Sequence, residues 1–281
     1  TFTNNSITSA SAGGGAVWSN NTTDIRNSTF MSNTSAGWSG ALFLQNTFTV
    51  SNTQFISNTA VGAGGGLARG GPSSTGAGLI VNSLFARNTA GGDGGAIAIE
   101  TNGPVQILYT TIGNPSRLAG KAIAVNVSSQ VSISNTIISG YEIGIGQGGS
   151  GVASEDYNLF YDNENITSGG VTNGGHSYSG DPSFVDPDAD DYRLSKTSAA
   201  IGIAEDVGIY TDYFGDARPQ ISDSDSGFDI GFDEFRYLQI GGTVSGLVGS
   251  GLVLQNNGSD ALPVSANGAF NFLLGQGEGT D

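Results

Sequence analysis

The segment "STFMSNTSAGWSGAL" (residues 28–42) decides the fold, because the chain repeats it twice in altered form. "TQFISNTAVGAGGGL" follows at residues 53–67, and "SLFARNTAGGDGGAI" at residues 83–97. Each copy has a phenylalanine, an asparagine three residues later, a bridge of small residues and a Gly-Gly-like element before aliphatic residues. Internal repeats with a period of roughly 20–50 residues indicate stacked architectures. The repeat therefore predicts a solenoid.

The composition of the repeat indicates strands rather than helices. Short runs such as "GALFLQ" and "GAIAIE" alternate with the two-residue period of a β-strand. Glycine, serine, asparagine and threonine dominate, and no apolar stripe with a period of about 3.6 residues is present. A unit of about 25 residues with short strands is typical of one rung of a β-solenoid. We predict an all-β chain that folds as a right-handed parallel β-helix.

Stacked rungs bring equivalent residues to about 4.8 Å from one another along the axis, so repeated residues should form ladders. We expect the phenylalanines to stack inside the core. We expect the asparagines to bond to one another and to take left-handed backbone at a bend. The glycines should make a corner that a Cβ would prevent. The predicted ladder residues are Phe30, Phe55, Phe85, Asn33, Asn58, Asn88, Gly40, Gly66 and Gly95.

The charge is unevenly distributed and divides the chain into three parts. The net charge is −16, and there is no cysteine among the 281 residues. Residues 1–153 carry four acidic and five basic residues, residues 154–236 carry 18 and four, and residues 237–281 carry three and none. We assign these parts to β-helix rungs, to acidic C-terminal rungs with a cap, and to the first half of a β-sandwich. Such an acidic chain excludes nucleic acid as a partner, because phosphate binding needs a basic face.

Phe-x-x-Asn followed by Gly-Gly and an aliphatic residue resembles the repeats of polymorphic outer-membrane proteins and related right-handed parallel β-helix surface proteins. The resemblance covers about residues 1–150. It implies the β-helix fold and a place at the cell surface. It assigns no catalytic residue.

Two further segments resemble elements of bacterial surface proteins. "DPSFVDPDADDYRLSKTSAAIG" (181–202) with "YTDYFGDARPQISDSDSGFDIGFDEF" (210–235) is similar to the choice-of-anchor element that follows many bacterial β-helices. That resemblance implies a capping, exported architecture. "VSGLVGSGLVLQNNG" and "VSANGAFNF" resemble the first half of a tandem β-sandwich repeat. We therefore expect the chain to be a fragment or a processed product of a longer protein.

The β-helix scaffold also hosts polysaccharide lyases and hydrolases, so catalytic groups must be considered. Glycoside hydrolysis uses a pair of carboxylates, and lyase chemistry uses a base with a cationic group or a metal. The rungs carry few acidic residues, and these lie far apart: Asp24, Asp93, Glu100 and Glu142. Arg69 and Glu100 follow the Gly-Gly corners of adjacent rungs, and we interpret them as a solvated surface ion pair, with Arg87 and Asp93 nearby. The single histidine, His176, is interpreted as a surface residue. No catalytic residue is assigned.

The acidic segment offers the one candidate metal site. Calcium takes six to eight oxygen ligands, and closely spaced aspartates in a turn can supply several of them. The alternative is that these aspartates form turns and keep the chain soluble. The candidate calcium ligands are Asp186, Asp188, Asp190, Asp191, Asp223, Asp225 and Asp229. Arg193 and Arg218 are expected to pair with carboxylates of the same segment. No cofactor is required, and calcium is the only one considered.

Two tryptophans bear on function. Trp18 and Trp38 both lie near the Gly-Gly corner, where they could stack on a neighbouring rung or bind sugar.

The first hypothesis for the function is a secreted or cell-surface structural or adhesive β-helix, not an enzyme, with self-assembly into a filament as a variant. Its partners would be further copies of itself, an extracellular or host surface, or polysaccharide. The alternative is a polysaccharide lyase or hydrolase, or a carbohydrate-binding module, and it predicts a groove lined by tryptophan, acids and a base.

Overall fold

The computed structural model describes residues 1–11, 13–71, 75–126, 128–220, 227–238, 240–256, 260–272 and 276–277. The chain divides into two compact units, Thr1–Glu234 and Phe235–Asp281. The first contains a parallel β-solenoid of about six turns, which confirms the predicted fold class. Among the described residues, no helix has the length and apolar character needed to span a membrane.

Three long sheets form the faces of the solenoid. Face A consists of β1 (Phe2–Thr3), β5 (Thr29–Met31), β9 (Gln54–Ile56), β13 (Leu84–Ala86), β17 (Thr111–Gly113), β20 (Ile137–Ser139), β23 (Leu159–Tyr161) and β26 (Tyr178–Ser179). Face B consists of β3 (Val17–Ser19), β7 (Leu42–Leu44), β11 (Leu67–Arg69), β15 (Ile97–Ile99), β18 (Leu118–Val125), β21 (Tyr141–Gln147) and β24 (Asn165–Ser168). Face C consists of β4 (Thr23–Arg26), β8 (Phe48–Ser51), β12 (Gly78–Val81), β16 (Gly103–Leu108), β19 (Ser129–Ser134), β22 (Val152–Asp156) and β25 (Thr172–Asn173). A short sheet joins faces A and B in the first four rungs: β2 (Ser6–Ile7), β6 (Thr34–Ser35), β10 (Thr59–Ala60) and β14 (Thr89–Ala90).

The phenylalanines of the repeat stack along face A. Phe30 pairs in register with Phe55, and Phe55 with Phe85. The ring centroids are 5.0 Å apart in the first pair and 4.5 Å in the second, with interplanar angles of 4° and 8°. All three side chains are fully buried, and burial of each contributes about 1.5–3 kcal/mol. Ile112 and Ile138 continue this position in the next rungs, so the aromatic stack becomes an aliphatic one.

The asparagines of the repeat form a buried hydrogen-bonded ladder. Asn58 Nδ2 donates to Asn88 Oδ1 at 2.9 Å and to the Phe30 carbonyl oxygen at 3.0 Å. The backbone N–H of Asn58 donates to the same Asn88 oxygen at 3.0 Å. Asn33 makes the equivalent contacts with Asn58 one rung earlier. A buried amide without partners costs about 1–3 kcal/mol, so these bonds favour one register of the rungs.

Left-handed backbone was expected at Asn33, Asn58 and Asn88, and that expectation is wrong by one residue. The positive φ angles are 54° at Ser32, 54° at Ser57 and 53° at Arg87. The residue before each asparagine therefore makes the bend, and the asparagine side chain is buried and bonds to the neighbouring rungs. A second bend joins faces C and A, and its positive φ angles, from 43° to 53°, define the corner residues Asn27, Asn52, Asn82, Tyr109, Asn135 and Tyr157.

The glycine ladder also differs from the prediction at one position. Its members are Gly40, Gly65 and Gly95. A Cβ at Gly65 would lie 2.2 Å from the carbonyl oxygen of Gly95, which no side chain tolerates. The strand register aligns Gly66 instead with Ala41 and Ala96. The corner glycine of the third rung is therefore Gly65, and Gly66 directly precedes β11.

Residues 181–220 and 227–234, here called the strap, fold back along the side of the solenoid. They contain β27 (Phe184–Asp186), a 3₁₀ turn (Pro187–Ala189) and β28 (Asp191–Leu194). Tyr192 and Phe232 pack with Ile56, Leu84 and Ala86, which lie on the outer side of face A. The described part of the segment predicted to be a cap is thus in contact with the side of the rungs, and its role as a cap stays a prediction.

The corner residues bind the strap through its backbone. Asn82 Nδ2 donates to the Thr211 carbonyl oxygen at 2.8 Å. Asn135 Nδ2 and the Tyr109 hydroxyl both donate to the Glu205 carbonyl oxygen, at 2.8 and 2.7 Å. The Glu205 N–H returns a bond to Asn135 Oδ1 at 3.0 Å. Since residue 205 lies beside later rungs than residue 211, the strap runs against the order of the rungs.

A buried ion pair fixes the end of the strap. Arg218 Nη1 lies 3.0 Å from Glu234 Oε2, and both side chains are fully buried. The guanidinium also donates to the carbonyl oxygens of Asp229 and Gly231, at 3.0 and 2.8 Å. Its carbon lies 4.3 Å from the centroid of the Tyr109 ring. The expected pairing of Arg218 with a carboxylate of the same segment is confirmed.

Two buried carboxyl groups lie in the same part of the strap. Burial raises the pKa of Asp233 to about 7, and the neighbouring Asp212 carboxyl adds to this, while Arg218 and Arg193 oppose it. The backbone N–H of Leu194 donates to Asp233 Oδ2 at 2.6 Å. Burial also raises the pKa of Asp212. The folded chain therefore holds protons here at pH values where the unfolded chain has released them.

The described residues of the second unit form three antiparallel strand pairs. They are β29 (Tyr237–Leu238) with β34 (Gln276–Gly277), β30 (Gly241–Val244) with β33 (Gly268–Asn271), and β31 (Leu252–Asn256) with β32 (Asp260–Val264). The assignment of this unit to half of a β-sandwich stays a prediction.

The register of the glycine ladder can be tested with two adjacent substitutions. We expect Gly65→Ala to destabilise the solenoid by roughly 2 kcal/mol or more, because its Cβ meets the Gly95 carbonyl oxygen. Gly66→Ala should cost less, because the neighbouring rungs carry alanine there and its Cβ would meet the Phe85 ring at 2.8 Å and the Ala96 carbonyl oxygen at 3.1 Å, rather than a carbonyl oxygen at 2.2 Å. Urea unfolding measures both; equal costs would contradict the assigned register.

The protonation of Asp233 predicts a pH dependence of stability. A carboxyl whose folded pKa lies above its unfolded value stabilises the fold at low pH, and this contribution is lost as pH rises from about 4 to about 7. Asp233→Asn keeps an acceptor for Leu194 and should flatten this part of the profile, leaving a smaller slope from Asp212. Thermal melts between pH 4 and 8 measure it, with the exposed Asp188→Asn as the control. An unchanged slope in Asp233→Asn would show that this carboxyl is ionised in the fold.

Candidate functional site

An open groove of about 560 Å³ lies on the outer side of face B, in the first four rungs. The groove combines aromatic and polar side chains. The residues that line it are Ser11, Gly13, Trp18, Trp38, Phe43, Gln45, Gly70, Gly71, Glu100, Thr101 and Asn102.

The groove exists because the outward residues of face B become smaller from rung to rung. Trp18 pairs in register with Phe43, Phe43 with Ala68, and Ala68 with Ala98. Strand residues at the same position share one side of a sheet. The outer surface of face B therefore protrudes where the outward residue is aromatic and is recessed where it is alanine. Phe43 packs with Ala68 and Ala98 in a small cluster beneath the surface.

Glycines allow the aromatic rings to lie against the backbone. A Cβ at Gly70 would come 2.7 Å from the Phe43 ring, and one at Gly13 would come 2.5 Å from the Trp18 ring. Trp18 is 56% exposed and Trp38 is 42% exposed. Both indoles are thus largely exposed to solvent. Such exposure is unusual for tryptophan, the largest apolar side chain.

The opposite wall is polar. Gln45, Thr101 and Asn102 bring amide and hydroxyl groups, which both donate and accept hydrogen bonds. Glu100 is the one carboxylate among the described lining residues. Its Oε1 accepts a bond from Asn126 Nδ2 at 2.8 Å, and this contact orients the carboxylate.

Arg69 lies behind this wall, and its predicted role as part of a solvated surface pair with Glu100 is wrong. Its side chain has no exposed surface, and burial lowers the pKa of the guanidinium. Arg69 Nη1 donates to the Gly103 carbonyl oxygen at 3.3 Å, and Nη2 donates to that of Gly76. The contact between Arg69 and Glu100 is through the backbone, where the Glu100 N–H donates to the Arg69 carbonyl oxygen at 2.8 Å.

The other charged groups near Arg69 in the sequence lie elsewhere. Arg87 pairs with Asp190 of the strap. Asp93 lies 2.9 Å from Lys121 Nζ in the next rung. Neither contributes to the groove, so the base and the second acid that a catalytic groove would need do not come from these residues.

The candidate calcium ligands are dispersed in the described part of the strap. Asp191 pairs with Arg193 at 2.7 Å, Asp190 pairs with Arg87, and Asp186 accepts the Ala189 N–H. Asp188 is exposed, and the buried Asp229 accepts the Gly202 N–H at 2.8 Å. Asp223 and Asp225 lie outside the described residues. Within the described ranges, no three His, Cys, Asp or Glu residues are grouped as metal ligands. Calcium binding stays a prediction.

His176 lies at the surface near the last rungs. Its Nδ1 is 3.1 Å from both oxygens of the Asp156 carboxylate, and 56% of its side chain is exposed. The imidazole stacks on the ring of the corner residue Tyr157, with centroids 4.7 Å apart. The arrangement accounts for the histidine through ring stacking and its contact with the Asp156 carboxylate.

Comparisons with protein-family models, with curated proteins and with solved structures give no match. The resemblances drawn from the repeat, the strap and the second unit therefore stay predictions. The function is therefore inferred from the chemistry of the groove.

Sequence analysis identified part of this site. It placed Trp18 and Trp38 near one corner and left sugar binding open as their role. Glu100 was considered only as the partner of Arg69. Phe43, Gln45, Thr101 and Asn102 were not identified, because these residues come together only when the rungs are stacked. An aromatic residue at the same outward position in successive rungs was the available signal.

Proposed function

We propose that this protein is an extracellular adhesive β-helix that binds an uncharged polysaccharide in the groove of face B. The observation that carries the proposal is the pair of exposed indoles, Trp18 and Trp38, in one open groove with amide and hydroxyl groups. The proposal joins the structural hypothesis to the carbohydrate-binding one, because a stack of rungs presents such a groove on a rigid support.

The lining of the groove supports a sugar as the ligand. A pyranose ring has an apolar C–H face and a periphery of hydroxyl groups. Aromatic rings such as Trp18 and Trp38 offer a flat apolar surface for the first, and amphipathic packing of this kind stabilises by burial. Side chains such as Gln45, Thr101 and Asn102 offer donors and acceptors for the second. An open groove, rather than a closed cavity, suits a polymer that extends beyond the site.

Charge supports a neutral polymer. Glu100 places a carboxylate in the groove itself, and no described lining residue is cationic. A polymer of uronic acids would meet repulsion from this carboxylate. The cation nearest in the chain, Arg69, has no exposed surface with which to bind an acidic sugar.

The composition of the groove supports binding over cleavage. Glycoside hydrolysis commonly requires two carboxyl groups at a set separation across the scissile bond, whereas the described lining provides Glu100 alone. Elimination from a uronate would need a base and a group that stabilises the developing negative charge. The enzymatic alternative is therefore the second hypothesis, and it is separated from binding by the experiment on Glu100 below.

The tryptophans are tested by single and double substitution. We expect Trp18→Ala and Trp38→Ala each to weaken binding of neutral polysaccharides by about tenfold, or about 1.4 kcal/mol, because each removes one stacking face. Calorimetry and affinity electrophoresis with neutral glucans, mannans and chitin oligomers measure the loss. Tyr210→Ala on the strap, where the ring is 58% exposed, is the matched control. Binding that is unaffected by the double variant, or wild-type protein that binds proline-rich peptides instead of any glycan, would contradict the proposal.

Glu100 distinguishes binding from catalysis. We expect Glu100→Gln to bind neutral glycans within about threefold of wild type, because the amide keeps the oxygen that accepts from Asn126. It should also weaken repulsion of polygalacturonate. Reducing ends and unsaturated products are assayed in parallel over long incubations. Product release by wild type that Glu100→Gln abolishes would establish the enzymatic alternative.

A further inference from the structure

Arg69 occupies a position where its neighbours are aliphatic. In face B it pairs in register with Leu44 on one side and Ile99 on the other, and Val125 follows Ile99. All four side chains are at most 1% exposed. Replacing a buried ionic group by an apolar side chain of similar volume is often neutral or stabilising. Stability therefore gives no reason for an arginine at this one position of an aliphatic ladder.

The guanidinium joins the ends of two loops. It donates through Nη1 to the carbonyl oxygen of Gly103 and through Nη2 to that of Gly76. Gly103 directly follows the groove residues Glu100 to Asn102. Gly76 lies at the far end of the loop that begins with the groove residues Gly70 and Gly71. One side chain thus bonds, from inside the core, to the backbone directly after Asn102 of the polar wall and to the backbone of Gly76.

Two glycines provide the space for this contact. Gly78 aligns with Phe48 and Val105 in face C, so one rung has no side chain at that level. The carbon of the guanidinium lies 5.8 Å from the centroid of the Phe48 ring. A Cβ at Gly103 would come 2.9 Å from Arg69 Nη2, and its φ of 98° also favours glycine. The rungs around Arg69 are therefore adapted to the arginine.

We infer that Arg69 is a positioning residue, which holds the polar wall of the groove in place from within the core. It does not contact the ligand. Its effect on glycan binding depends on the proposed function, whereas its effect on the two loops does not. A wall that is already ordered loses less conformational entropy when a ligand binds. A buried residue that orders the wall can therefore increase the affinity without contacting the ligand.

Arg69→Met tests this role, because methionine fills the ladder without bonding to the loops. We expect the variant to fold and to melt at or above the wild-type temperature. Hydrogen exchange of the amides at Gly70, Gly71 and 101–103 should rise at least about tenfold, while the amides of β11 and β15 keep their protection. Affinity for the glycan that wild type binds should fall at least about tenfold. Ile123→Met, at a buried inward position two rungs further on, is the control for methionine in the core.

The outcomes separate the two proposals. If wild type binds no glycan but Arg69→Met frees the loops, the proposed function fails and the positioning role stands. If Arg69→Met binds like wild type with unchanged exchange in the loops, the positioning role is wrong. If Arg69→Met unfolds while Ile123→Met folds, the arginine is needed for the fold itself, and the inference is overturned. Arg69→Lys adds a graded test: its single ammonium cannot span both carbonyls, so exchange should rise in one loop at least.

Discussion

The hydrogen bond from one asparagine amide to the next is the interaction on which the rest of the structure depends. Asn33 and Asn58 each donate to the Oδ1 of the asparagine in the following rung and to a backbone carbonyl oxygen of the preceding rung. The amides are buried, so a slip of register would leave donors and acceptors without partners. The stacked rings of Phe30, Phe55 and Phe85 add apolar burial at the same level. Together they define which residues of successive rungs become neighbours.

Inward residues fix the register of the rungs, so outward residues can differ from rung to rung. The groove results from these differences in face B. On the inner side, face B keeps aliphatic residues at equivalent positions. On the outer side, the same strands carry Trp18, then Phe43, then alanine. Arg69 departs from this inner pattern, and it lies behind the polar wall of the groove. The buried Arg69 and the outward-facing aromatic residues, which both depart from the repeat, therefore lie at the same groove.

The strap gives the acidic part of the chain a structural role. Its backbone accepts bonds from the corner residues Asn82, Tyr109 and Asn135. Its own charges are partly buried, with Arg218 and Glu234 paired and the pKa of Asp233 raised by burial to about 7. Such buried groups cost free energy unless they are fully bonded. The strap thus shields face A and its corner at the expense of a pH-sensitive stability.

The sequence by itself determined the solenoid, its strands and the identity of the stacked phenylalanines and asparagines, because a repeat states its local geometry several times. It misplaced the bend by one residue and chose Gly66 over Gly65, since two adjacent glycines look alike until the register of their strands is known. Only the tertiary structure decided that the acidic segment lies along the side, that Arg69 is inside the core, and that Trp18, Trp38 and Glu100 share one groove. These residues are far apart in the chain, and their proximity results from stacking, which couples positions about one rung apart in a way that no local pattern records.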